Sequence, residues 1–253
     1  MALRESNHPS AHPVSSSHAG TGGSEHHHRN IQGGSARAAV FGVSDGLVSN
    51  IALVLGMAGA SPAPGLVRLA GLVGLLGGAF SMAAGEYVSM KAQKELLERE
   101  LDLERIEIER RPEGERRELA QIYRSRGVAP EVADQLATEM MAHPELALET
   151  HAREELGIDP SELGAPVQAA TTSFAAFAVG AVVPLAPWFF LSGGGAVVAS
   201  IVLGVLAALV IGVLLARFTE RPVLPSALRQ LAIAAFAAGV PYAIGNAVGV
   251  TLG

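Results

Sequence analysis

The chain has 253 residues, of which 49% are apolar types and only 17% are charged, whereas soluble globular domains carry about 25% charged residues. The net charge of −6 argues against a nucleic-acid-binding protein, and the absence of Cys excludes disulfide scaffolds, Cys-ligated zinc and thiol catalysis. Residues 166–216 contain no Asp, Glu, Lys or Arg, which excludes an ordinary cytosolic enzyme and predicts a protein that crosses a membrane several times.

Residues 1–35 are rich in Ser, Gly, Pro and His and contain almost no large apolar residues. This composition predicts a disordered tail, and it lacks the apolar stretch of a signal peptide. Six of the eight His residues lie in this tail, including His26, His27 and His28. They could bind a metal loosely, although a flexible polar tail explains them as well.

Five apolar segments are long enough to cross a bilayer, for which a helix needs about 20 residues. The first two, at 38–60 and 69–90, each contain one charged residue. The glycine triplet at 193–195 predicts a turn that divides the uncharged run into spans at 167–190 and 196–216. The fifth span is 230–253. The predicted fold is all-α, with membrane helices 1–2 in residues 36–90 and helices 3–5 in residues 166–253.

Lys and Arg residues predict the orientation of these spans, because loops rich in them stay in the cytoplasm. Arg68 is the only Lys or Arg between the first two spans, whereas 11 Lys and Arg lie in residues 91–165 and none lies near Gly193. We therefore expect the N-terminus, residues 91–165 and the last connection to be cytoplasmic and the C-terminus to be outside. The Ala-, Gly- and Arg-rich composition suggests a bacterial plasma membrane.

Residues 91–165 form an acidic insert, with 19 Asp and Glu against 11 Lys and Arg. No Gly or Pro interrupts 86–111, so the second membrane helix should continue about 39 Å beyond the membrane, at 1.5 Å per residue. Pro112 should end it. Further helices are predicted at 113–126, 130–142 and 144–156, two of them opened by a proline. The insert is therefore predicted to be all-helical.

Asp45 is the charged residue of the first span, and its neighbours are small or polar. They are Gly42, Ser44, Gly46, Ser49 and Asn50. A carboxylate at this depth costs about 2.5–3.5 kcal/mol on insertion scales, so it normally faces a polar pathway or a partner. The alternative is a hydrated residue near the interface without a role. We interpret Asp45 as part of an ion pathway.

Met82 and Glu86 lie four residues apart in the second span and share one helix face. A thioether and a carboxylate on one face could bind a divalent transition metal. Each residue also has an ordinary explanation, since methionine commonly fills cores and a glutamate can reach the aqueous interface. The pair alone does not decide between these interpretations.

The insert contains acidic residues at spacings that place them on shared helix faces. These are Glu100, Glu104 and Glu107 on the first helix, Glu115 and Glu118 on the next, and His151 with Glu155 on the last. Like charges at such spacings repel, and a shared cation would remove that cost. Carboxylates with one imidazole suit Fe²⁺, Mn²⁺ or Zn²⁺, and Glu pairs from separate helices occur in di-iron sites.

The alternative for the insert is a solvated acidic surface that is neutralised by nearby arginines. The candidates for this pairing are Arg105, Arg110, Arg116 and Arg117. The pattern by itself slightly favours this alternative.

Nearly the whole chain after the tail resembles the vacuolar iron transporter family. The matching segments are Phe41-Gly42-Val43-Ser44-Asp45-Gly46-Leu47, Ser81-Met82-Ala83-Ala84-Gly85-Glu86-Tyr87, the Glu-rich insert and Glu154-Glu155-Leu156-Gly157. The resemblance implies a five-span homodimer that exchanges ferrous iron for protons, with Asp45 and Met82 on the path between protomers. It also implies cytoplasmic metal-binding helices that carry Glu104, Glu107, Glu115, Glu118 and Glu155.

The chain departs from the plant members of this family at one position. They have a methionine pair just before the last Glu, where this chain has His151 and Ala152. We expect His151 to supply the ligand and to make the site harder. Carboxylates with a pKa near 4.3 stay mostly ionised down to about pH 5.5, so any loss of metal affinity above that pH would point to the imidazole.

Two functions fit the sequence. One is a secondary transporter that moves Fe²⁺ out of the cytoplasm, with Mn²⁺ and Zn²⁺ as further candidate ions. The other is a membrane-anchored iron-storage or ferroxidase protein that uses the Glu-rich insert. An anchor needs neither five spans nor intramembrane charges, so transport is favoured. No enzyme or organic cofactor motif is present. The expected partners are membrane lipid, divalent metal ions and a second copy, with no nucleic acid.

Overall fold

The computed structural model describes residues 34–60 and 63–252, and every regular element in this part of the chain is helical. The helices are α1 Gly34–Gly59, α2 Pro64–Arg110, α3 Pro112–Ser125, α4 Pro130–Met141, α5 Pro144–Glu154, α6 Pro166–Leu185, α7 Gly193–Phe218 and α8 Val223–Leu252, with 3₁₀ turns at Pro160–Glu162 and Ala186–Phe189. The all-α prediction is confirmed. Of the tail predicted for residues 1–35, residues 1–33 lie outside the described part of the chain.

Five of these helices are long and apolar enough to cross a membrane. They are α1, α2, α6 with its 3₁₀ turn, α7 and α8. This confirms the five spans predicted from the sequence. The last helix begins at Val223, earlier than the predicted residue 230, because charged Arg229 does not interrupt a helix at a membrane surface.

The turn predicted at the glycine triplet is wrong. Gly193 begins α7, and the chain reverses at residues 190–192 instead. Of the three glycines only Gly193 has a positive φ, of 57°. The first amides of a helix have no partner within the helix, so glycines are tolerated there, and Pro184 and Pro187 bring the preceding helix to its end.

Helix α2 is continuous over 47 residues, which corresponds to about 70 Å. The hydrocarbon core of a bilayer is only about 30 Å thick, so roughly half of α2 extends beyond it. This confirms the predicted continuation as far as Arg110, where Pro112 opens α3. Helices α3 and α4 pack through Leu119, Ala120 and Ala137, and α5 packs against α2. The insert is all-helical, as predicted.

Helix α1 is the centre of the membrane part and contacts α2, α6, α7 and α8. Its contacts with α6 and α8 are made backbone to backbone. A methyl group on Gly46 would overlap the carbonyl of Phe177 in α6, and one on Gly245 in α8 would overlap the carbonyl of Gly56. Close approach through small residues is a common means of joining membrane helices, because van der Waals packing replaces the hydrophobic effect there.

Candidate functional site

Three ligand-bearing side chains from three helices meet inside the insert. Glu104 of α2, Glu115 of α3 and His151 of α5 each place one ligand atom within 4.8 Å of the other two. Their exposed fractions are 4%, 5% and 0%. We call these three residues the buried cluster. Buried carboxylates normally require a compensating charge, so this arrangement is suited to a cation.

The imidazole of His151 faces two carboxylates. Its Nδ1 atom lies 3.1 Å from Oε1 of Glu104 and 3.5 Å from Oε2 of Glu155, and only the second contact has hydrogen-bond geometry. Within the described residues, Oε1 of Glu104 and Nε2 of His151 have no hydrogen-bond partner. Buried polar atoms are almost always paired, and a bound metal ion would supply the missing partner here.

The carboxylates around the buried cluster repel one another. The pKa of Glu104 is raised to about 7, chiefly by burial and then by the negative charges of Glu155, Glu115, Glu107 and Glu118. Burial is also the main reason that the pKa of Glu115 is raised. A divalent cation at this point would relieve the repulsion and return both groups to the ionised form.

The structure thus brings together six of the seven residues predicted in the insert. Glu107 and Glu118 are exposed at the margin of the buried cluster, and Glu155 is one-third exposed. Glu100 is not among the groups whose charge acts on Glu104. It lies one turn closer to the membrane on α2, so sharing a helix face with Glu104 does not bring it to the buried cluster.

The arginines of the insert pair mainly with other acidic residues. Arg105 lies 2.8 Å from Asp102, and Arg116 lies 3.5 Å from Asp134. Among the described residues, no Lys or Arg forms an ion pair with the carboxylates of the buried cluster. The alternative of an arginine-neutralised acidic surface therefore does not account for the buried cluster, although it does account for Glu107 at the margin, which lies 3.4 Å from Arg111.

The raised pKa of Glu104 has a consequence for the metal-free protein. Glu104 has a folded-state pKa of about 7 against an ordinary 4.5, so the folded protein binds this proton more tightly than the unfolded chain does. The stability that depends on the bound proton is fully present below about pH 4.5 and is lost as pH rises through 7. Between pH 5 and pH 8 this effect should lower the free energy of unfolding of the wild type by about 2 to 3 kcal/mol, and we expect Glu104→Gln to abolish that drop. Thermal unfolding in chelator at both pH values measures it. Glu109→Gln, at an exposed position of the same helix, is the control, and equal pH dependence in both variants would contradict the assignment.

Asp45 and Met82 line one groove among the membrane helices. The groove has a volume of about 320 Å³, and its walls come from α1, α2 and Phe177 of α6. The Asp45 carboxylate is exposed and accepts a hydrogen bond of 3.3 Å from Ser49. Glu86 is half-buried one turn further along α2 and is not part of the groove wall. The groove therefore combines a carboxylate and a thioether at membrane depth.

Asn50 also lines this groove. In the sequence it is one of the small and polar neighbours of Asp45, but it was not among the predicted site residues. It lies five residues after Asp45, which places it about 140° away on an ideal helix. The groove wraps around α1 far enough to include both side chains. The signal in the sequence was its place among the small and polar neighbours of Asp45 within an apolar span.

The groove and the buried cluster both lie within a segment that matches a known family. The profile of the VIT family matches residues 36–246. The chain belongs to the VIT family. The resemblance inferred from the motifs of the first two spans and the insert is thereby confirmed.

Proteins of the VIT family with similar sequences include plant and amoebal members. Vacuolar iron transporter 1 of Tulipa gesneriana is 34% identical over 214 residues, covering 84% of this chain and 86% of the relative. Vacuolar iron transporter 1 of Oryza sativa subsp. japonica is 34% identical over 230 residues, covering 89% and 91%. The vacuolar iron transporter of Acanthamoeba castellanii is 42% identical over 149 residues, covering 59% and 53%. These names indicate a transporter and not an enzyme.

Proposed function

We propose that this protein is a secondary transporter that moves Fe²⁺ out of the cytoplasm in exchange for protons. The observation that carries the proposal is the groove that joins Asp45 and Met82 among five apolar helices. Membership in the VIT family supports iron as the transported ion. Mn²⁺ and Zn²⁺ are further candidate substrates because they accept the same carboxylate and imidazole donors.

The groove residues would have complementary roles. The carboxylate of Asp45 would offset part of the charge of the ion at membrane depth, where hydration is lost. The thioether of Met82 is a softer donor and would favour Fe²⁺ over Mg²⁺ or Ca²⁺. Glu86 lies between the groove and the extended part of α2, so it would take the ion from the side of the insert.

The insert would collect ions on the cytoplasmic side. The buried cluster would hold the ion, with Glu107, Glu118 and Glu155 at its margin. In this proposal the N-terminus and the insert lie in the cytoplasm and the C-terminus lies outside, as the distribution of Lys and Arg suggests, and the membrane is a bacterial plasma membrane. The transported ion is the bound metal in this proposal, and no organic cofactor is required.

A homodimer would complete the groove. In one protomer Asp45 is exposed although it lies within an apolar span. A charge at this depth is normally turned towards a polar cavity or a partner. A second copy that faces this side would enclose the groove and exclude lipid from it.

Purified protein in proteoliposomes tests the transport function. We expect Fe²⁺ kept reduced by ascorbate, Mn²⁺ and Zn²⁺ to accumulate in vesicles with an acidic lumen, and the lumen pH to rise as metal enters. A fluorescent metal indicator and a pH dye inside the vesicles report the two fluxes. Metal binding without flux would contradict transport and support the storage or ferroxidase alternative.

Met82→Leu tests the role of the sulfur atom. The substitution keeps the volume nearly constant, so folding should change little. Fe²⁺ flux should fall by roughly tenfold, which is the lower end of the loss that follows when a metal site loses even an outer-shell partner. Flux and thermal unfolding are measured on the same preparations. Met57→Leu is the matched control, because Met57 packs against the same hydrophobic cluster as Met82 but does not line the groove. Similar losses in both variants would assign Met82 to packing.

A further inference from the structure

Asn50 is a buried amide in the wall of the membrane groove. It lies on α1, is 2% exposed and lines the groove together with Asp45 and Met82. Its Nδ2 atom donates a hydrogen bond of 2.7 Å to the carbonyl oxygen of Ala181 in α6. A carbonyl can only accept, so this contact fixes the nitrogen on the α6 side and directs Oδ1 away from it.

The amide oxygen of Asn50 is left without a partner. Within the described residues, Oδ1 is buried and accepts no hydrogen bond. It faces α2, because a Cβ on Gly74 would lie 3.0 Å from it, and Gly74 is another residue of the groove wall. An unpaired polar atom is costly inside a bilayer, since lipid tails offer no donor. The oxygen is thus held towards the space between α1 and α2, which Met82 also borders.

We propose that Oδ1 of Asn50 is a ligand of the ion that passes through the groove, which rests on the transport function proposed above. With Asp45 and Met82 it would form a mixed donor set of one carboxylate, one amide carbonyl and one thioether. The carbonyl is a hard and uncharged oxygen donor. It would favour Mn²⁺ and Fe²⁺ over softer ions such as Cd²⁺, and it would do so without adding a second negative charge that slows release.

The flux ratio of Mn²⁺ to Cd²⁺ into proteoliposomes tests this role. Asn50→Ala removes the oxygen, so the ratio should fall about tenfold, the lower end of the loss that follows when a metal site loses even an outer-shell partner. Asn50→Asp keeps an oxygen but loses the donor to Ala181, so it should restore a ratio close to that of the wild type. If Asn50 acts only through the hydrogen bond from Nδ2 to Ala181, Asn50→Asp should change the ratio as much as Asn50→Ala, because neither variant keeps the donor.

Ser200→Ala is the matched control for a broken interhelical hydrogen bond. Ser200 is buried in α7 and donates to the carbonyl of Pro184 in α6 at 2.7 Å, and it does not line the groove. Its loss should reduce stability and leave the Mn²⁺ to Cd²⁺ ratio unchanged. Size-exclusion profiles of all variants establish which of them fold.

Several results would overturn the proposal. An unchanged ratio in Asn50→Ala, or equal changes in the Ala and Asp variants, would remove Asn50 from the ligand set. If Asn50→Ala does not fold, Gly74→Ala decides, because its methyl group would lie 3.0 Å from Oδ1 and would cover it once the tip of the Leu53 side chain, which it would overlap, has moved aside. An unchanged ratio there also rejects the proposal. A wild type that moves neither ion would instead overturn the transport function itself.

Discussion

Asp45→Asn should reduce metal flux in proteoliposomes to the level of empty vesicles. The side chains have nearly the same shape, so packing of α1 should not change, but the groove loses its negative charge. Asp45 is the only acidic residue that borders the groove in the described part of the chain. A divalent ion at membrane depth would then face only neutral donors, which do not replace its hydration well.

The comparison variant for this experiment is Asp102→Asn. It makes the same chemical change at an exposed carboxylate of α2 that pairs with Arg105 outside the membrane. Its flux should match the wild type, since surface ion pairs contribute little to stability. Wild-type flux in Asp45→Asn, with normal yield and elution profile, would show that Asp45 does not take part in transport.

Affinity of the full-length protein for Mn²⁺ should fall on the order of tenfold between pH 7.5 and pH 5.5. Metal ions compete with protons for their ligands. Glu104, whose pKa is about 7, takes up a proton in this range. Calorimetric titration at intervals of half a pH unit measures the fall, with Mn²⁺ used because it does not oxidise as Fe²⁺ does.

This corrects the expectation that a loss of affinity above pH 5.5 would point to His151 alone. Because burial raises the pKa of Glu104, His151→Gln should keep a fall on the order of tenfold. Glu104→Gln should show a nearly flat profile over the same range. His143→Gln is the control, since His143 is an exposed histidine outside the buried cluster. Profiles that superimpose in all four proteins would place the metal elsewhere.

The fold was predictable because its signals are local. Long stretches with at most one charged residue defined the five spans. Prolines 112, 130 and 144 stand at the first positions of α3, α4 and α5, where a missing amide hydrogen costs nothing. The glycine triplet misled because glycine breaks a helix in its interior but not at its first turn. Composition alone cannot tell these two positions apart.

The candidate site was predictable only in part. Spacing along single helices grouped Glu104 with Glu107 and His151 with Glu155, but it could not show that Glu104 and His151 meet across α2 and α5. Burial depends on that meeting, and the pKa of Glu104 depends on burial. The same limit applies to Asn50, whose role in the groove depends on how α1 is rotated against α2.

The backbone contacts of α1 with α6 and α8 also restrict how the transporter can change shape. Helices joined through glycines have no flexible side chains between them to absorb sliding, so these three should move as one rigid body. The groove can then open or close only if α2 shifts against that body. Met82 and Glu104 are 22 residues apart on this one helix, about 33 Å. Because α2 is one continuous helix, a shift of its Glu104 end on binding of an ion to the buried cluster would also move its Met82 end relative to the groove.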